Sequence, residues 1–131
     1  MSPRVTGIGG VFFKARDPKA LQEWYRVHLG FEISEWGGAV FHWQTPELPQ
    51  PDGATAWSLF PQDTKHFAPS TASFMINYRV DDLDALLASL RAAGCAVDEK
   101  TNADDFGKFG WVMDPEGNRI ELWQPPAQAN A

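Results

Sequence analysis

Polar and apolar positions alternate along two separate stretches of the chain, and each stretch runs into an aspartate. The first is Gly10-Val11-Phe12-Phe13-Lys14-Ala15-Arg16-Asp17, and the second is Met75-Ile76-Asn77-Tyr78-Arg79-Val80-Asp81-Asp82. A period of two marks a strand whose faces differ. After each aspartate the period changes. Leu21, Trp24, Tyr25, His28 and Leu29 recur at helical spacing, as do Leu83, Leu86, Leu87 and Leu90. Each set is one face of an amphipathic helix. Asp17 suits the N-cap and Pro18 the first helical position. In the second half Asp82 is the expected cap, with Asp81 the competitor. Gly30 and Gly94 suit the left-handed position that ends a helix.

Strand patterns follow each helix, at 31–36, 39–44 and 55–60 in the first half and at 96–99, 110–113 and 119–123 in the second. Asp114-Pro115-Glu116-Gly117-Asn118 has the chemistry of a tight turn, since Pro sets φ and Gly or Asn accepts positive φ. The same β-α-β-β-β order therefore occurs twice. The predicted fold class is α+β, with two tandem βαβββ modules at about 5–60 and 74–124. A linker at 61–73 joins them, and a Pro/Ala/Gln/Asn tail fills 125–131. Residues 1–131 are read as one domain. In the strand after the linker, Phe74, Ile76, Tyr78 and Val80 point one way and suit a Leu-rich helix. Met75, Asn77 and Arg79 point the other way, so that second face is not expected to pack on a helix.

The 131 residues carry a formal net charge of -6. Nucleic acid and anionic membrane surfaces are disfavoured partners, because both require clustered Lys and Arg. Neutral or cationic ligands are mildly favoured. With one cysteine, Cys95, no intramolecular disulfide can form. Cys95 is read as a small buried hydrophobe. No apolar run approaches a membrane span, and Met1 to Val5 has no apolar signal core, so the cytoplasm is the expected location. Six Trp and nine Phe are the unusual feature, and rings of that size need a core, a pocket or an interface.

Three strings together resemble the vicinal oxygen chelate superfamily. They are Asp17-Pro18 leading to Trp24-Tyr25 and Leu29-Gly30-Phe31, then Tyr78-Arg79-Val80-Asp81-Asp82-Leu83-Asp84-Ala85, then Asp114-Pro115-Glu116-Gly117-Asn118-Arg119-Ile120-Glu121-Leu122. The resemblance covers roughly Val5 to Gln124. It implies the glyoxalase/bleomycin resistance/dihydroxybiphenyl dioxygenase-like fold: mixed sheets curled around a cup, helices outside and ligand inside. It also implies a homodimer. Metal-dependent members place a ligand on the first and last strand of each module. Here those positions are Gly10, Met75, a residue near Ser58, and Glu121. One carboxylate cannot hold a divalent ion against water. No metal site and no cofactor are therefore expected, and a divalent metal is disfavoured.

Glu121 remains as the candidate catalytic residue, a lone general base or a partner for a cationic ligand. Equally, it could pair with Lys14 or Arg79 inside the cup. His28 is read as a packing residue, His42 as a residue that could face the cup, and His66 as exposed in the linker. The candidate ligand-binding set is Phe12, Lys14, His42, Trp43, Trp57, Ser58, Met75, Asn77, Arg79, Trp111, Glu121 and Trp123. The polar stretch 99–109 is read as a surface loop able to lid the cup. The leading functional reading is a metal-independent module binding a small aromatic or amphipathic molecule. One alternative is a glyoxalase-type lyase or isomerase, or a dioxygenase, with a displaced metal. The other is a structural or regulatory dimer with a vestigial pocket.

Overall fold

The computed structural model describes residues 3–42 and 53–126. The elements run β1 (Val5–Ala15), α1 (Pro18–Leu29), β2 (Ala39–His42), β3 (Ala54–Pro61), β4 (Phe74–Val80), α2 (Leu83–Ala92), β5 (Ala96–Val97), β6 (Asn102–Asp104), β7 (Gly107–Met113) and β8 (Arg119–Gln124). All eight strands join one sheet in the order β2-β3-β1-β4-β8-β7-β5, with β6 on β7. β1 runs parallel to β3, and β4 runs parallel to β8. The seam between the halves is the antiparallel β1–β4 pair. The sheet is mixed and curled, with both halves contributing to one concave side.

The helix boundaries follow the predicted chemistry. Asp17 accepts a hydrogen bond from the Ala20 N–H, and Asp82 does the same for Ala85. Asp81 instead caps nothing and accepts from the Arg4 N–H. Gly30 and Gly94 both have positive φ, which glycine adopts without the Cβ conflict other residues would meet at a helix stop. Asp114 takes the N–H groups of Glu116 and Asn118 and closes the predicted turn.

Each helix covers the convex side of its own half. Leu83 and Leu87 of α2 pack on Val80, Val112 and Leu122, with Tyr78 and Ile120 beside them. Leu21 and Tyr25 of α1 pack on Ala15, Ala39, Trp57 and Leu59, with Phe13 and Phe31 beside them. Burying one such large side chain contributes about 1.5–3 kcal/mol.

Several expectations are corrected. Residues 31–36 form no strand, and a turn occupies 35–37. Only Leu21 and Tyr25 of the α1 stripe pack inward, whereas Trp24 and Leu29 are exposed. His28 is exposed too, with its ring 5.0 Å from that of Trp24. Cys95 is exposed rather than buried. The stretch 99–109 is not plain loop, because β6 pairs with β7 and makes a hairpin. Within the linker, Phe67 and Ser70 are buried.

Candidate functional site

Alternation on β8 sends Ile120 and Leu122 toward α2 and leaves Glu121 and Trp123 on the concave side. Glu121 is only 4% exposed. Three N–H donors converge on its carboxylate. Asn77 Nδ2 lies 2.7 Å from Oε1, Trp111 Nε1 lies 2.9 Å from Oε2, and His66 Nε2 lies 3.2 Å from Oε2. Burial pushes the Glu121 carboxyl up. The hydrogen bonds of His66, Asn77 and Trp111, with the nearby His66 charge, outweigh it and hold the carboxyl below its ordinary value. The group is an anion at neutral pH.

Above this floor opens a cavity of about 610 Å³. Its walls are Phe12 and Gly9 from β1, Val40 from β2, Ala54, Ala56, Ser58 and Phe60 from β3, and Phe109 and Trp123 from β7 and β8. Trp36 and Phe106 form the rim. Phe109 and Trp123 stack with centroids 6.4 Å apart. Trp123 Nε1 donates to the Phe106 carbonyl at 2.7 Å, which ties the hairpin tip to the wall. Phe106 itself is 73% exposed. A break in the β1–β4 register between Ile8 and Gly10 lets Gly9 as well as Phe12 face the cavity. Gly9 has no room for a side chain, because a Cβ there would stand 2.4 Å from Asn77 Oδ1.

Of the residues proposed from sequence, Phe12, Ser58, Asn77, Glu121 and Trp123 line this one cavity. Met75 shares the face of Asn77 but is fully buried, below the open space. Trp111 acts from behind, holding Glu121 while its ring faces Arg119 at 5.1 Å. Four placements are corrected. Trp57 packs among Phe13, Tyr25 and Phe31 under α1, because its neighbour Ser58 takes the concave face and strand alternation permits only one of them. Lys14 lies over the Phe67 ring at 5.6 Å and lines an outer groove. Arg79 and His42 do not line the cavity, and His42 is exposed at the end of β2. Neither Lys14 nor Arg79 pairs with Glu121. Trp43 lies outside the described residues.

His66 is the residue that sequence reasoning missed. Its side chain is 37% exposed, its ring stacks on Phe60 at 5.3 Å, and it reaches Glu121 from the linker. No local spacing signals this, because the two residues are 55 positions apart. Phe60 was within reach, since it is two positions from Ser58 on the same strand face.

The sequence matches the glyoxalase-like domain over residues 10–123. The chain belongs to this glyoxalase-like domain family. Its structural neighbours include a member of the glyoxalase/bleomycin resistance/dioxygenase superfamily. Methylmalonyl-CoA epimerase from Mycobacterium tuberculosis is 25% identical with a TM-score of 0.64, over 97% of this chain and 93% of that one. A Streptomyces coelicolor methylmalonyl-CoA epimerase variant in complex with 2-nitronate-propionyl-CoA is 20% identical with a TM-score of 0.69, over 95% of this chain and all 100% of that one. A superfamily member from Vibrio splendidus 12B01 is 16% identical with a TM-score of 0.55, over 94% and 99% of the two chains. No curated protein matches the sequence.

The superfamily's metal positions do not fit a divalent ion here. Gly10 has no side chain, Met75 offers a buried thioether, and Ser58 is a weak neutral donor. Three N–H groups already aim at the remaining carboxylate, and a cation there would face their positive ends. Among the described residues no three His, Cys, Asp or Glu side chains gather into a metal-holding group. No described helix is long and apolar enough to cross a membrane.

Proposed function

We propose that this glyoxalase-like chain is a metal-independent binding protein that holds a small aromatic or amphipathic molecule in its cup. One observation carries the reading. A cavity of about 610 Å³ has aromatic and aliphatic walls and a single polar floor of Ser58, Asn77 and Glu121. That size and that ratio of apolar wall to polar contacts suit a small organic ligand. Flat rings such as Phe12, Phe109 and Trp123 gain most from stacking on another flat ring.

The enzymatic alternative, with Glu121 as general base, is less well supported. A general base works best with a pKa near the operating pH, and hydrogen bonds to its charged form weaken it as a base. Glu121 has a depressed pKa and three donors on its two oxygens. The homodimer implied by the superfamily resemblance is kept as part of the proposal, and light scattering reads it directly.

Tryptophan fluorescence titration tests the function, using planar cations, phenols and thiol conjugates before and after dialysis against a chelator. Saturable quenching that is unchanged by the chelator is expected. Silence across the whole panel, or quenching that requires an added divalent ion, would overturn the proposal.

A further inference from the structure

We infer that the molecule held in the cup carries a hydrogen-bond donor at its buried end and no anionic group. The inference rests on the cup being a binding site, and it names the class of ligand.

The orientation of Asn77 is fixed by chemistry. An ionised carboxylate offers only lone pairs, so the Asn77 nitrogen must face Glu121, as it does at 2.7 Å. Its oxygen is then turned away. Asn77 is 3% exposed, and Oδ1 is buried with no hydrogen-bond partner. Such an orphaned acceptor is uncommon, because leaving it dry costs free energy that a donor would recover. A Cβ built on Gly9 would stand 2.4 Å from Oδ1 and 2.9 Å from the Trp123 ring, so Oδ1 lies close to Gly9, which lines the cavity together with Trp123. A ligand that enters beside Trp123 and shifts its ring edge reaches this oxygen.

Glu121 adds to the same demand. A carboxylate has about four lone-pair directions. Two of the three donors share Oε2, and only Asn77 takes Oε1, so Oε1 can accept one more. Asn77 and Glu121 thus each keep an acceptor with capacity to spare, and Ser58 is the one hydroxyl among the described residues lining the cavity.

Charge points the same way. Glu121 is the one charged residue among the described residues lining the cavity. Lys14 is drawn off over Phe67, Lys108 pairs with Asp84 at 3.0 Å, and Arg119 pairs with Asp98 at 3.2 Å. Residues 43–52 and 127–131 contain no Lys, Arg or His in sequence. His66 is already engaged with Glu121 Oε2 at 3.2 Å, so a carboxylate or phosphate brought to the floor would meet a like charge with no Lys or Arg among the described lining residues to offset it.

Four probes with one ring system separate the possibilities: 1-naphthylmethylammonium, 1-naphthylmethanol, 1-naphthylmethyl methyl ether and 1-naphthoate. Binding is measured by calorimetry on the unaltered protein and on Asn77→Ala. The ammonium and the alcohol are expected to bind about tenfold more tightly than the ether, the worth of one satisfied buried acceptor. Naphthoate is expected to bind least. In Asn77→Ala the alcohol-to-ether ratio should fall toward one. If the ether or naphthoate binds as tightly as the alcohol, the donor inference is overturned while the cup remains a binding site. An unchanged ratio in a folded Asn77→Ala overturns it as well. If that variant does not fold, the four affinities of the unaltered protein decide alone. If none of the four binds, the proposed function falls together with the inference.

Discussion

Glu121→Gln keeps the shape of the floor and removes its charge, so it measures what the buried carboxylate is worth. The Gln oxygen can accept from His66 and Trp111 as Oε2 does now. Its NH₂ group then meets Asn77 Nδ2, and two donors face each other where a 2.7 Å hydrogen bond stood. Turning Asn77 over would restore that bond but aim its NH₂ group at Gly9 and Trp123. A hydrogen bond to a charged group contributes roughly 1.5–3 kcal/mol, and two more are reduced to neutral strength. The expected loss at neutral pH is about 2–4 kcal/mol. Urea unfolding at a series of pH values is the assay. The folded carboxyl titrates below its ordinary value of 4.5, so its contribution is complete above that value and is lost as pH falls through the folded value. The gap between wild type and Gln should therefore be full at neutral pH and shrink on acidification. A Gln variant as stable as wild type at neutral pH would mean that desolvation outweighs the three donors, as happens for some buried charges. A gap that stays undiminished once the carboxyl is protonated would refute the reasoning equally.

Three further outcomes follow from the same contacts. Trp57→Ala should cost about 3–5 kcal/mol in urea unfolding, because the ring is 7% exposed beneath α1, yet the folded variant should keep its ligand affinity. Gly9→Ala should cost about 1–3 kcal/mol, because the new Cβ drives into Asn77 Oδ1 and the Trp123 ring, and ligand titration should show weakened binding. Phe106→Ala should leave thermal stability within about 0.5 kcal/mol, since the ring is on an exposed hairpin tip, while ligand dissociation measured by stopped flow should become faster.

Local rules determined a large part of this protein. The caps at Asp17 and Asp82, the stops at Gly30 and Gly94 and the turn at Asp114 each depend on chemistry within a few residues, and each was legible. The doubled β-α-β-β-β order exposed the α+β fold for the same reason. Faces were legible where alternation was clean, as at Asn77, Glu121 and Trp123. They were not legible at Trp57 and Ser58, because adjacent residues both looked suitable and only packing under α1 separates them. The strand expected at 31–36 failed because Phe31 and Ile33 pack beside α1 without a ladder partner.

Tertiary structure alone decided what Glu121 is for. From sequence it faced Lys14 or Arg79, but the curl of the sheet carries both away from it. The linker instead brings in His66 from 55 positions upstream, and β7 brings in Trp111. A hydrogen bond across such a separation leaves no spacing to read, because it is set by where whole elements pack. Sequence can state which donors and acceptors a chain owns; the fold determines which remain unpaired, and among the described residues the buried oxygen of Asn77 and Nε of Arg119 are left so.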